Sequence, residues 1–121
     1  ILLMKKILYL SFFGLLLASC SSLRIVDKPV IFDEQRRELS LAYLKDRHGL
    51  AQAEPTIEPK MIVLHYTVVP TLEGTFRVFE KPTLANSRGE LQGAGALNVS
   101  SQFGVDRDGT VYRFLPETTF A

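Results

Sequence analysis

Met61-Ile62-Val63-Leu64-His65-Tyr66-Thr67 is the stretch on which the reading of this chain turns. Four apolar residues run without interruption into a histidine, a tyrosine and a threonine. A continuous apolar run with a β-branched centre predicts a strand buried on both faces. In open α/β sheets ligands gather outside the carboxyl ends of such strands. His65 stands where the run ends. It is either a metal ligand or a hydrogen-bonded structural histidine, and the heptapeptide alone leaves both open, because a metal site needs several ligands.

Upstream, Pro55 and Pro59 block helix and make 53–59 an extended linker. Before it, residues 34–48 carry Leu41, Leu44 and His48 at helical spacing, with Leu39 and Tyr43 beside them. Arg36, Arg37, Glu38, Lys45 and Asp46 fill much of the remaining surface. Asp33 is the expected N-cap and Gly49 the left-handed C-cap of an amphipathic helix packed on a sheet. His48, in the last turn, is explained by the helix dipole.

Downstream, Leu72, Phe76 and Phe79 favour a helix within 70–81, which Gly74 weakens and Pro82 ends. Residues 83–95, rich in Gly, Asn and Ser, read as a surface loop. In 99–115 two alternating segments flank Asp106-Arg107-Asp108-Gly109, a strong hairpin signal. Asp106-x-Asp108-Gly109 lacks the remaining ligands of a calcium loop. Gly93-x-Gly95 opens no helix, which excludes a dinucleotide fingerprint.

The first residues read as an export signal. Met4 is the expected start, Lys5 and Lys6 form a positive region, and 7–17 is an apolar stretch too short for a comfortable membrane span. Leu17-Ala18-Ser19-Cys20 resembles the lipobox of bacterial lipoproteins. That resemblance implies cleavage before Cys20 and its lipidation, with acyl chains as the membrane anchor. The expected location is the bacterial cell envelope, on the periplasmic side of the outer membrane. Residues 1–20 are thus expected to be a signal peptide and 21–35 a tether, with the domain at 36–121.

Cys20 is the sole cysteine, so an intrachain disulfide and cysteine-rich zinc sites are excluded. The chain has 14 Lys+Arg against 13 Asp+Glu; without Lys5 and Lys6 the balance is 12 against 13. With no basic field, no nucleic-acid partner is expected.

The segment 62–67 also resembles the first zinc-ligand strand of N-acetylmuramoyl-L-alanine amidases, the zinc amidases related to peptidoglycan recognition proteins. Asn98 to Tyr112, with Asp106-Arg107-Asp108-Gly109-Thr110 and then Phe114-Leu115-Pro116-Glu117, is similar to the family's second signature. Both stand in the family's order. The resemblance implies an α/β fold with a mixed central sheet flanked by helices, incomplete at the C-terminus. It implies zinc, a peptidoglycan or muropeptide substrate, and hydrolysis of the amide between N-acetylmuramic acid and L-alanine. His65 matches the first zinc ligand. Tyr66 and Thr67 adjoin it and are expected to line the substrate cleft, with Ser101 standing where some relatives place a Tyr near the zinc. The family's other ligands and its general-base Glu follow the Pro-Glu segment, so no catalytic residue is expected within this chain and Glu117 is not that base. The alternatives are a lipoprotein that binds muropeptide without cleaving it and a purely structural lipoprotein.

Overall fold

The computed structural model describes residues 22–84 and 97–121. Five elements follow in order: β1 (Ile25–Asp27), α1 (Glu34–His48), α2 (Leu72–Glu80), β2 (Phe103–Val105) and β3 (Val111–Arg113). The three strands form one sheet in the order β1-β3-β2. β3 pairs parallel with β1, Val26 facing Tyr112, and antiparallel with β2, Gly104 facing Tyr112. The fold is therefore α/β with a mixed sheet, as expected. Among the described residues no helix is long and apolar enough to cross a membrane. The signal segment and Cys20 lie outside the described residues, as does most of the expected loop at 83–95.

Local chemistry explains both helices. The Asp33 carboxylate accepts from the Arg36 amide at 2.9 Å, which satisfies one of the donors a helix start leaves free. Gly49 closes α1 at φ 67°, its N–H donating to the Lys45 carbonyl. α2 opens on Thr71, whose hydroxyl accepts from the Gly74 amide at 3.1 Å. Phe76 and Phe79 of α2 pack on the core formed by Val30, Phe114 and Leu115. The Phe114 ring meets Phe76 at 5.7 Å and Phe79 at 6.2 Å between centroids.

Arg36 departs from the expectation of a solvated charge. It is buried along α1 with Ser40 and Leu44. Its Nη2 donates to the carbonyls of Phe79 at 2.7 Å, Glu80 at 3.2 Å and Lys81 at 2.7 Å. A helix C-terminus exposes carbonyls with no partner inside the helix. One helix thus satisfies the end of the other, and the helix-end dipole favours the cation. Burial pulls the Arg36 pKa below its ordinary value, against the opposing pull of Asp33. The group remains charged in any ordinary buffer.

Two expectations are corrected. Residues 61–67 form no strand and are not buried: Ile62 is 90% and Leu64 93% exposed. A strand buried on both faces needs neighbours on both edges, and among the described residues the three strands pair only with one another. The tether expected at 21–35 is in part structured. Residues 25–27 pair with β3, and the chain continues along it, the Lys28 amide donating to Arg113 and the Val30 amide to Phe114. Val30 reaches the core, so burial of its apolar side chain orders a segment whose composition looked polar and mixed.

Gly104 sits where β2 passes over the Phe114 ring. A Cβ there would lie 2.6 Å from the ring. Gly104→Ala is therefore expected to lower stability by about 1–3 kcal/mol through overpacking. Urea unfolding of both forms checks this, and an unchanged midpoint would remove the close-approach explanation.

Candidate functional site

His65 and Tyr66 lie on the exposed segment after the extended linker, with Tyr66 89% accessible. The linker is held at its start. The Ile57 amide donates to the Thr118 carbonyl at 2.8 Å, and Thr56 bridges to Thr119. The segment is held again at Thr67, whose hydroxyl lies 3.4 Å from the Val69 carbonyl and 3.4 Å from the Thr75 hydroxyl on α2. Between these anchors the His65 imidazole is open to solvent. Thr67 is half-buried and engaged locally; Tyr66 is the residue of the pair free to meet a ligand.

Ser101 precedes β2. Its hydroxyl donates to the Phe103 carbonyl at 2.9 Å, a short-range bond typical of serine at an irregular strand start. Next to it, the Gln102 carbonyl accepts from the Phe114 and Leu115 amides, and its side-chain amide donates to the Thr119 carbonyl at 2.8 Å. Gln102 therefore fastens the hairpin to the 116–121 segment. Among the described residues no hydrogen bond, ion pair or ring contact joins His65 or Tyr66 to Ser101.

The donor set can be tested against zinc. A catalytic zinc takes three protein ligands and keeps one position open. Among the described residues no group of three or more His, Cys, Asp or Glu side chains converges. His65 supplies one imidazole; the residues described here do not fit a complete zinc centre.

The acidic turn of the hairpin is occupied by its own backbone. The Asp106 amide donates to Thr110 and the Gly109 amide to Asp106, with Gly109 at φ 84°. Asp108 accepts from the Thr110 amide at 2.9 Å and from its hydroxyl at 3.0 Å. These bonds, the backbone one first, hold the Asp108 carboxyl below its usual range. This is turn chemistry, in accord with the reading of a hairpin and not of a calcium loop.

A second feature escaped the sequence. Tyr43 and His48 of α1 meet Phe120 in a ring cluster, with centroids 5.8, 5.9 and 6.3 Å apart. The three rings line a cavity of about 320 Å³ together with Leu84, Leu97 and Asn98. That Tyr43 and His48 share one helix was visible, but Phe120 is brought to them only by tertiary structure.

The profile of the N-acetylmuramoyl-L-alanine amidase family matches residues 55–121. No curated protein and no solved structure matches the chain. The matched part contains the exposed segment, α2 and the hairpin; α1 lies before it.

Asp108 sets a pH dependence. Its folded pKa is depressed, so the ionised form stabilises the turn above its unfolded value of about 4 and that contribution is lost as pH falls through the folded pKa. The Thr110 amide resonance is expected to hold its position down to about pH 4 and to move below it. Movement complete by about pH 5 would contradict the assignment.

Proposed function

The chain belongs to the N-acetylmuramoyl-L-alanine amidase family, and from that membership we propose that the protein as encoded hydrolyses the amide joining N-acetylmuramic acid to L-alanine during cell-wall turnover. Its function is of the peptidoglycan-amidase type and its substrate is peptidoglycan. The family match across 55–121 carries this reading, because it includes His65 and the acidic hairpin in one stretch. His65 is the proposed first ligand of zinc, Tyr66 and Thr67 the proposed flank of the cleft, and Ser101 a more distant contact. The open imidazole of His65 supports that role. The described residues supply no complete ligand set.

Cys20 is proposed as the lipidated residue, placing the protein at the envelope through acyl chains. A non-catalytic muropeptide-binding role is the second reading. It is favoured by one observation: among the described residues no three His, Cys, Asp or Glu side chains converge, where a catalytic zinc needs three donors.

Cleavage of purified peptidoglycan by the protein as encoded separates the two. The amidase reading expects new L-alanine amino termini, with His65→Ala lowering their release by at least about 100-fold, beyond the 10–100-fold typical of losing a supporting group around a metal. Retention on peptidoglycan without any release would establish binding in place of hydrolysis. Undiminished release by His65→Ala would refute the role of that residue.

A further inference from the structure

The cavity beside α1 has no part in the reading of His65, and its geometry is specific. Tyr43 and Phe120 are inclined by only 33°, with centroids 5.9 Å apart, and together they make a broad aromatic floor. His48 stands more upright against it, at 73° to Phe120 and 54° to Tyr43. The result is a corner: an apolar floor with an imidazole wall. The Gly49 cap fixes His48 at the end of α1. Asn98 at the back is buried and spends its side-chain amide on the carbonyls of Val78 at 2.6 Å and Lys81 at 2.9 Å, so that wall is rigid.

The lining selects the ligand. Among the described residues it contains no Asp, Glu, Lys or Arg side chain. A cation would need a carboxylate or a fuller aromatic cage, and a stem peptide carrying carboxylates would need a basic partner. A neutral ligand with one apolar face and several hydroxyls fits both floor and wall. A pyranose ring has that form: its axial C–H groups can lie on an aromatic face while equatorial polar groups reach the rim. The Tyr43 hydroxyl and the His48 ring nitrogens provide donor and acceptor positions there. At about 320 Å³ the cavity is at the small end of ligand pockets, sized for one ring and not for a chain.

We propose that the Tyr43–His48–Phe120 cavity is a binding subsite for a neutral N-acetylated amino-sugar ring of the glycan strand, separate from the amide-cleaving centre. The identity of the polymer rests on the peptidoglycan reading above; the choice of sugar over peptide rests on the cavity. Tyr43 and His48 come from α1, outside the matched residues 55–121, whereas Phe120 and the rest of the lining lie within them. Its function is to hold the glycan strand.

The test uses the full chain with two soluble probes, an N-acetylglucosamine tetramer and a free stem peptide, followed by saturation-transfer NMR. The tetramer is expected to receive saturation at its ring protons and acetyl methyl. Tyr43→Ala is expected to weaken its binding about tenfold, the loss of one aromatic contact. Val99→Trp, which fills the cavity from its half-exposed rim without removing core atoms, is expected to abolish it. Thermal unfolding of each variant verifies that it folds. Equal tetramer binding by wild type and Val99→Trp overturns the subsite. So does a wild type that binds the stem peptide or intact peptidoglycan but not the tetramer, and that outcome leaves the family reading intact. Tetramer binding without retention on peptidoglycan supports the subsite and counts against the proposed substrate.

Discussion

The Arg36 guanidinium is the constraint on which the rest of the structure depends. A helix as short as α2 ends in carbonyls that need partners, and its end lies against the core where water is scarce. Arg36 supplies donors from another helix, and Asn98 supplies two more to Val78 and Lys81. The Ile31 amide adds a bond to Glu80, and the Asn98 amide one to Pro82. Bonds from charged donors contribute on the order of 1.5–3 kcal/mol each in measured series. One helix end thereby collects the approach to α1, α1 itself and the entrance to the hairpin. The sheet is only three short strands, and these polar bonds do much of what a larger apolar core would do.

That arrangement places the two candidate sites. α2 carries Thr75, on which Thr67 rests, and so fixes the end of the exposed His65 segment. α1, locked by Arg36 near its start, points Tyr43 and, in its last turn, His48 toward Phe120. Phe120 is in turn held by the hydrogen bond that its backbone N–H donates to the Pro55 carbonyl. The surface ion pair of Arg37 with Glu54 reinforces the α1–linker contact, and that of Arg37 with Glu34 lies within α1. Being partly or largely exposed, they add little by comparison.

What could be read from sequence was what local chemistry decides. Asp33, Gly49 and Gly109 act on their own neighbours within a few residues, so both ends of α1 and the hairpin turn were legible. The spacing of Leu72, Phe76 and Phe79 gave α2 for the same reason. The failures are all non-local. The 61–67 run has strand propensity, but a strand exists only when another backbone lies beside it. Ile25–Asp27 has little pattern of its own and becomes β1 because β3 offers an edge. Arg36 looked like a surface charge because its acceptors lie 43–45 residues away. The candidate site divides likewise: His65 and its neighbours were legible from a motif, whereas the aromatic corner needed Phe120 brought back to α1.

His65 is proposed as a metal donor on a segment that, among the described residues, pairs with no strand. X-ray absorption at the zinc edge of the zinc-loaded protein as encoded, compared with His65→Ala loaded identically, tests it most directly. Loss of one imidazole from the zinc scattering shell in the variant is the expected result. An identical shell in both proteins, at equal zinc content, would contradict it.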